Sequence, residues 1–507
     1  MKMKNISKAI ILFSLLGTVF NYGCSDELLD EFPKGFYHTG NFEDTIAVPY
    51  DILADSYVLD TYNQFRGWTG CHFFFVGATS IPSDDADKGS TASDGGVNMI
   101  SLDNYTFNAY NGATQTLYDG SYQGISKANQ ALAFIKVMPD DMAELRDRLM
   151  GEAYFLRGYH YFRLAQGFGG VSLVDKVLGP DDEIEPRATL EDTWKFIEDD
   201  FLAAIEMLPS KGDIIGTSYL GRATKEAAQG FLAKTYVYQM KWVQTLEQTN
   251  AVIGSGVCDL STPIDKIFTE AQENGKESLF EAQFDNTIGQ PGLTGGYAEI
   301  QGVRGKLDRG WGFNNPSPTL VAAFEDGDPR LASTVIVSGE YAPDGTYVPS
   351  VSEGVVNPYY NAKVWQWADE ITAADRGERP FGGWINPRLL RFADIVLLHA
   401  EAANELSQST EALEKLEMVR ARARGNNASI LPEVKTTNQD ELRQAIQHER
   451  RIELAMEHER YFDLIRWDLA HSILGPLGWM KGKNEVFPIP QATIDKSEGV
   501  IIQNPNY

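Results

Sequence analysis

The chain has 507 residues, 43% of them hydrophobic, and carries 71 acidic against 44 basic side chains, for a formal charge of −27. This composition provides for a large buried core and excludes the disordered, collagen-like and disulfide-miniprotein classes. A pI near 4.7 argues against nucleic acid as a partner, because phosphate backbones are bound by basic surfaces.

Residues 1–23 predict an export signal. Three lysines precede the apolar run 9–20, which is too short to span a bilayer. A glycine and then Cys24 follow at once, an order typical of a lipoprotein cleavage site. We expect the thiol of Cys24 to carry a lipid and to begin the mature domain, residues 24–507.

Simple secretion stays open as the alternative to lipidation. Asn21 and Tyr22 stand where lipoprotein signals usually have an aliphatic and a small residue. No later stretch approaches about 20 uninterrupted apolar residues, so a lipid would provide any anchoring. The sequence therefore predicts a protein that lies on a membrane and does not cross it.

Helical periodicity of apolar residues predicts a mainly α fold. In chain order, the predicted helices are 42–59, 118–137, 149–166, 190–208, 223–240, 390–404, 412–423 and 440–468. Thr189 is expected to cap one of them, and the glycines after residue 166 to end another. The paired helices predict a tetratricopeptide-like superhelix with its scaffold at about 42–59, 118–256 and 389–470.

Two segments, about 60–117 and 257–388, lack a sustained helical period and are rich in glycine, proline, asparagine and aromatic residues. They predict long loops with short strands laid over the helical frame. We call the segment at about 60–117 the early loop and the segment at about 257–388 the insertion. Because binding residues concentrate on loops held by a rigid scaffold, we expect the ligand site there.

Most catalytic motifs fail on inspection. The glycine–lysine pairs lack the serine or threonine of a phosphate-binding loop. His448 and His458 open motifs whose second zinc ligand is missing, since Ile452 and Phe462 occupy that position. We expect no cofactor. A pair of loop carboxylates with glycosidase chemistry stays open, because sequence does not reveal their separation.

Two smaller sites also stay open. The acidic loop 83–89 offers oxygen ligands for calcium, but it lacks EF-hand spacing, and we expect no metal there. Cys71 and Cys258 could pair in an oxidising compartment, although buried free thiols are the simpler interpretation.

Four blocks identify a family. They are GEAYFLRGYHYFRLAQGFGGVSLV from Gly151, GRATKEAAQGFLAKTYVY from Gly221, PRLLRFADIVLLHAEAANEL from Pro387 and HERRIELAMEHERYFDLIRW from His448. Together with EDGDPR from 325, VFPIP from 486 and QNPNY from 503, they resemble the RagB/SusD family. These proteins are starch-utilisation-type glycan-binding lipoproteins of the Bacteroidota outer membrane.

The resemblance implies a function. The lipidated protein would lie over a SusC-like, TonB-dependent barrel, facing the cell exterior. It would capture an oligosaccharide and act as a hinged lid that passes the ligand to the transporter. Members of the family bind without cleaving, so the resemblance implies no catalytic residue. One departure is His458, where the family usually has glycine, and it suggests a different local helix packing.

The last block also carries its own physical interpretation. Arg450 with Glu453, Glu457 with Arg460 and Asp463 with Arg466 are spaced i,i+3, as neighbours on one helix. Carboxylates matched by arginines stay ionised, which suits orientation of helices better than proton transfer.

Candidate ligand-binding residues are chosen by loop position. Flat rings suit sugars, because one face of a sugar is mostly C–H. The expected platforms are Trp68, Trp311, Trp365 and Trp384, with Tyr105 and Tyr297 in reserve. Asp84 and Asp85 are expected to bind hydroxyl groups on the same surface, because the resemblance implies a site built from the early loop and the long later insertion.

Three alternatives remain at this point. An oligopeptide-binding member of the same family would depend on polar grooves more than on exposed rings. A surface glycosidase would release reducing ends from a polysaccharide. A helical-repeat adaptor for another protein would bind no sugar.

Overall fold

The computed structural model describes residues 49–284, 296–367 and 384–507. Helices dominate this part of the chain. They are α1 Tyr50–Asn63, α2 Phe73–Ser80, α3 Gly96–Asp103, α4 Gly112–Ile135, α5 Ala143–Phe168, α6 Leu190–Met207, α7 Lys211–Ile214, α8 Lys225–Tyr238, α9 Trp242–Ser255, α10 Tyr297–Gln301, α11 Pro318–Val321, α12 Arg330–Thr334, α13 Phe392–Glu405, α14 Ser409–Arg424, α15 Gln439–Glu453, α16 Arg460–Arg466, α17 Ala470–Leu474 and α18 Gln491–Lys496.

The long helices pack in succession, each against its neighbours along the chain. Helix α5 packs between α4 and α6, α8 between α6 and α9, and α13 against α9, α14 and α15. Small residues allow close approach at these contacts, as at Gly151 of α5, where an added Cβ would lie 2.9 Å from Met207 of α6. The predicted mainly α fold is confirmed.

Three antiparallel strand pairs tie the loop-rich segments together. The strands are β1 Ala86–Gly89, β2 Ser278–Glu281, β3 Phe313–Pro316, β4 Val335–Val337, β5 Tyr359–Asn361 and β6 Arg388–Arg391. Strand β1 pairs with β3, β2 with β6, and β4 with β5. Through the first pair, with Ala86 opposite Pro316, the early loop and the later insertion form one surface.

Most predicted helices are observed within a few residues of their expected ends. The side chain of Thr189 accepts a hydrogen bond from the Asp192 N–H and caps α6. Gly169 ends α5 with φ of 77°. Two helices in the early loop, α2 and α3, were not predicted, because α2 is apolar on nearly every side and has no helical period. Residues 42–48 of the predicted 42–59 helix lie outside the described part of the chain.

The single helix predicted over 440–468 is wrong. Helix α15 ends at Glu453, and α16 begins at Arg460. Between them Met456 has φ of 65° and His458 has φ of 69°, left-handed values that an α-helix does not contain. Of the three predicted i,i+3 pairs, Asp463 with Arg466 is observed. The other charges bind partners far away in the sequence.

The carboxylate of Glu453 is the centre of a buried charge cluster. It accepts hydrogen bonds from Arg330 at 3.2 Å, Arg391 at 2.7 Å and Arg422 at 2.5 Å. The three guanidiniums come from the insertion, from β6 and from α14. Burial acts to raise the pKa of Glu453, but these cations hold it well below its usual range. One ionised carboxylate thus joins three parts of the fold.

Further buried ion pairs extend this cluster, because its guanidiniums also bind other carboxylates. Arg330 also binds Asp328 and Glu449, and Arg391 also binds Glu277 and Glu457. A second group, formed by Lys234, Asp394, Glu401, Glu459, Arg450, Asp463 and Arg466, joins α8, α13, α15 and α16. Ion pairs of the family block from His448 therefore connect the insertion to the helical scaffold.

Cys71 and Cys258 are buried free thiols, and no disulfide joins them. Burial raises the pKa of Cys71 to about 12 and that of Cys258 to about 11. Cys24 lies outside the described residues. None of the helices in the described ranges combines the length and apolar character that a bilayer crossing requires.

We predict that Glu453→Gln lowers the free energy of unfolding by about 3 to 5 kcal/mol, because three guanidiniums lose the charge that compensates their burial. Urea denaturation monitored by circular dichroism measures this. The matched control is Asp60→Asn, which removes the carboxylate of an exposed pair with Lys127 and should change stability by less than about 1 kcal/mol. Equal effects of the two substitutions would contradict the role assigned to the cluster.

Candidate functional site

An open group of aromatic rings lies where the early loop meets the later insertion. Trp68 is 50% exposed, and its ring centroid lies 4.4 Å from that of His72. The His72 ring lies 6.5 Å from Trp311, which is partly buried. We call Trp68, His72 and Trp311 the aromatic triad.

Phenylalanines beneath the triad hold it in place. Phe73, the first residue of α2, is buried, and its ring lies 6.1 Å from Trp68, 5.8 Å from Trp311 and 4.9 Å from Phe313 of β3. These edge and tilted contacts are favourable ring arrangements. Because α2 and β3 both contribute rings, the triad depends on the junction between the two loop-rich segments.

Trp311 is also fixed by hydrogen bonds to Glu299 in α10. Its backbone N–H donates to the Glu299 carbonyl at 2.8 Å, and its indole Nε1–H donates to the Glu299 carboxylate at 3.2 Å. With both donors occupied within the protein, the ring keeps one orientation. A fixed ring loses little conformational entropy when a ligand covers it.

His72 is held neutral between the two indoles. Burial lowers the pKa of its imidazole to about 4. Its Nδ1 is buried and has no hydrogen-bond partner among the described residues. Its Nε2 lies so close to Gly296 that a Cβ on that glycine would be 2.4 Å away. Any side chain at residue 296 would therefore displace the imidazole.

A half-buried ion pair lies beside Trp311. Arg304 binds Asp94 at 3.0 Å, and its Nη1 donates to the carbonyl oxygen of Trp311 at 3.5 Å. Asp94 also accepts hydrogen bonds from Thr91 N–H at 3.2 Å and from Ser90 Oγ at 2.8 Å. These bonds lower the pKa of Asp94 to about 2, so it stays ionised and does not act as a general acid.

The side-chain ammonium group of Lys88 organises the loop that carries Asp94. Lys88 Nζ donates to the carbonyl oxygens of Gly89, Thr91 and Asp94 at 2.9, 2.9 and 3.2 Å. Ser90 N–H then joins the loop to the Gly312 carbonyl, next to Trp311. No group of three or more potential metal ligands occurs among the residues that the structure describes.

Asp84 and Asp85, expected to bind hydroxyl groups, instead form ion pairs with the scaffold. Arg460 binds Asp84 at 2.8 Å, and Arg451 binds Asp85 at 2.7 Å and Asp84 at 2.9 Å. Burial raises the pKa of Asp85, whereas the two guanidiniums hold that of Asp84 below its usual value in spite of burial. These carboxylates join β1 to α15 and α16, and are not free to contact a ligand.

Four of the six aromatic candidates are buried, so their rings do not offer a face to solvent. Trp365 and Trp384 are 4% and 2% exposed. The Tyr105 hydroxyl donates to the Pro82 carbonyl, and the Tyr297 hydroxyl shares a 2.8 Å hydrogen bond with His458 Nε2. The expectation of platforms at these four positions is wrong, because each ring is buried within the protein.

Trp68 and Trp311 are therefore the candidates that the structure brings together. His72, Arg304 and Asp94 were missed. A signal for His72 was present, since it lies four residues after Trp68 and begins a run of phenylalanines. Arg304 and Asp94 are 210 positions apart, and their sequence surroundings do not indicate that they meet.

Comparisons with known proteins agree with this architecture. The sequence profile of the SusD family matches residues 276–482, and a profile described as "Starch-binding associating with outer membrane" matches residues 77–237. Together they span more than two thirds of the chain. SusD-like protein P2 of Formosa agariphila is 27% identical over the whole length of both chains. A SusD-like protein of Bacteroides ovatus is 24% identical, covering 92% of this chain and 83% of the relative.

Solved structures have the same fold. A structure titled "Laminarin binding SusD-like protein" superposes with a TM-score of 0.75 and 27% identity, over 90% of this chain and 99% of the other. Surface glycan-binding protein A from Bacteroides thetaiotaomicron, in complex with laminarihexaose, superposes with a TM-score of 0.74 and 21% identity, over 90% and 100%. In sequence and in fold, the chain belongs to the SusD family.

Proposed function

We propose that the protein captures glycans at the aromatic triad and releases them unaltered. The observation that carries the proposal is the pair of indoles, the exposed Trp68 and the partly buried Trp311, whose rings both contact His72. The ion pair of Arg304 with Asp94 supplies charged hydrogen-bonding groups beside the rings. The similar proteins named for binding laminarin and laminarihexaose support a carbohydrate ligand.

The energetics suit reversible capture. Covering about 100 Å² of apolar surface on one ring yields about 2.5 kcal/mol at roughly 25 cal/mol/Å², before entropic costs. Two rings with a few hydrogen bonds reach about −4 to −8 kcal/mol, which corresponds to millimolar to micromolar affinity. Such a ligand dissociates readily, as delivery to a transporter requires.

The charges near the rings support a binding role without turnover. A glycosidase needs a carboxylic acid whose pKa is raised, so that it can protonate the leaving oxygen. Asp94 has the opposite perturbation, and Asp84 and Asp85 are engaged with arginines. These three carboxylates thus have structural partners within the protein.

The cellular role in the proposal comes from the family and from the first residues of the chain. Lipid on Cys24 anchors the protein at the outer membrane, facing the exterior. There it delivers the captured glycan to a SusC-like, TonB-dependent barrel. The profile description, starch binding in association with the outer membrane, supports this placement.

We predict that Trp68→Ala and Trp311→Ala each weaken glycan binding by about five- to seventyfold, because each removes a ring worth about 1 to 2.5 kcal/mol. Affinity electrophoresis in gels containing laminarin, amylopectin, xylan, galactomannan, pectin or alginate identifies the polysaccharide, and calorimetry with its oligosaccharides gives Kd. The control, Trp242→Ala, removes a partly buried indole at the start of α9 and should leave Kd unchanged.

Two outcomes contradict this proposal. Tight binding of oligopeptide pools, with no affinity for any glycan, would favour the peptide-binding alternative. Release of reducing ends by the wild-type protein, abolished by a carboxylate-to-amide change, would favour the glycosidase. The proposal expects no reducing ends after prolonged incubation.

A second prediction concerns pH. The pKa of His72 is lowered to about 4, so the imidazole is neutral at physiological pH and glycan affinity should be constant from pH 5.5 to 8. The unfolded chain binds the proton near pH 6.5, so the stability contributed by neutral His72 is complete above that pH and decreases as the pH falls towards 4. An NMR titration of the imidazole, assigned with His72→Gln, should have its midpoint near 4. A midpoint near 6.5 would mean that the ring is freely solvated.

A third prediction concerns the anchor. Cys24→Ser should abolish incorporation of a labelled fatty acid and move the protein from the outer-membrane fraction to the soluble fraction. Cys258→Ser, which changes a buried thiol, is the matched control and should remain in the membrane fraction. Labelling of the Cys24→Ser variant at wild-type level would exclude this cysteine as the lipid site.

A further inference from the structure

A second aromatic pair stands on a tight hairpin of the insertion, in residues that the triad does not use. Tyr341 and Tyr347 face each other across an antiparallel bridge. Ala342 N–H donates to the Thr346 carbonyl, and Gly345 N–H to the Ala342 carbonyl, which closes the turn. The Asp344 carboxylate accepts a hydrogen bond from Thr346 N–H at 2.9 Å. The hairpin is thus fixed by its own backbone.

Both rings face solvent. Tyr341 is 74% exposed and Tyr347 is 42% exposed, with ring centroids 5.5 Å apart in an edge arrangement. The Tyr347 hydroxyl donates to the Glu353 carboxylate at 2.8 Å, and Ser350 N–H donates to the same carboxylate at 2.8 Å. One ring is therefore fixed by a hydrogen bond, and the other packs against its edge.

A compact core lies beneath the hairpin. Ala342 and Val348 are buried together with Ile336, Tyr360 and Trp365. The hairpin therefore contributes apolar residues to the interior while presenting both tyrosines to solvent. A cross-strand pair of rings stabilises a hairpin by at most about 1 kcal/mol, and that role alone does not require a ring as exposed as Tyr341.

The hairpin and the aromatic triad are connected through one short loop. Lys306 N–H donates to the Gly354 carbonyl at 2.9 Å, one residue from Glu353. Trp311 is five positions after Lys306, so their Cα atoms lie within roughly 18 Å of each other. Arg304, in the same loop, accepts a backbone hydrogen bond from Val356 and donates to the Trp311 carbonyl.

We propose that Tyr341 and Tyr347 form a second glycan-binding patch, which holds pyranose rings of a polysaccharide whose chain is bound at the aromatic triad. This inference rests on the proposed function. Tyrosine rings offer an apolar face to the C–H side of a sugar.

The two patches together favour long ligands over short ones. Once one part of a chain is bound at the triad, a second part meets the tyrosine patch at high effective concentration. A patch too weak to bind an isolated sugar then raises the affinity for the polymer. A short oligosaccharide engages one patch at a time and gains nothing.

Three variants test this proposal: Tyr341→Ala, Tyr341→Phe and Val351→Ala. The last removes an exposed aliphatic side chain from the neighbouring turn, without loss of a ring, and is the matched control. Thermal denaturation first establishes that each variant has the wild-type melting temperature. Affinity electrophoresis then measures binding to the polysaccharide that retards the wild-type protein, and calorimetry measures binding to its tetrasaccharide fragment.

We expect Tyr341→Ala to weaken polysaccharide binding about fivefold and to change tetrasaccharide binding by less than twofold. Tyr341→Phe, which keeps the ring, and Val351→Ala should bind both ligands like the wild type. In a Trp68→Ala background, the remaining polysaccharide affinity should fall again on addition of Tyr341→Ala.

The failures are distinguishable. Unchanged polysaccharide binding by Tyr341→Ala, with the effect of Trp68→Ala intact, overturns the second patch and leaves the proposed function standing. Equal losses for polymer and tetrasaccharide also overturn it, since Tyr341 would then belong to the first site. Failure of the wild-type protein to bind any glycan overturns both proposals.

Discussion

The three guanidiniums gathered on the Glu453 carboxylate are the interaction on which the rest of the structure depends. Arg330 comes from the insertion, Arg391 from the strand that leads into α13, and Arg422 from α14. Removing charges from water is costly, and a hydrophobic core of equal volume would stabilise such a junction at least as well. A buried charge cluster adds specificity of position, because a carboxylate that is displaced from its cations stays buried without a counter-charge. We infer that this constraint fixes the irregular insertion in one place on the helical scaffold, and with it the exposed rings.

The break between α15 and α16 distributes these charges. In a continuous helix, Glu453, Glu457 and Arg460 would lie on one face and neutralise one another locally. The left-handed residues Met456 and His458 separate them, so that Glu457 meets Lys363 and Arg391 while Arg460 meets Asp84 in the early loop. His458 also hydrogen-bonds Thr79 of α2 and Tyr297 of α10, the two helices beneath the aromatic triad. The residue that departs from the family pattern therefore lies between the charge cluster and the candidate site.

How far the sequence predicts this molecule depends on the range of the interactions. Helices with an apolar stripe, such as α6 and α13, follow from residues three and four positions apart and were predicted closely. The loop-rich segments follow from local composition in part, because their glycines and prolines indicate loops but do not indicate α2 and α3. Which tryptophan faces water does not follow from composition, because the exposure of Trp68 and Trp365 is decided by parts of the chain that are distant in sequence. Asp84 has the same difficulty, since its partner Arg460 is 376 positions away. An acidic loop predicts a polar surface until the arginines that neutralise it are known.

Aromatic rings that are held rigidly by the protein can still bind a ligand weakly. Fixing Trp311 through Glu299, and Tyr347 through Glu353, lowers the entropy lost on binding, so small apolar contacts suffice for measurable affinity. Each contact remains weak enough to break quickly, because no single ring covers more than one sugar face. A chain held at two weak patches can leave one while the other retains it, whereas a chain held at one strong site must dissociate completely before it moves. In the proposed function the ligand passes to a transporter, and distribution of the same binding energy over separated rings would allow stepwise release. This favours an insertion that exposes several aromatic residues on a rigid scaffold.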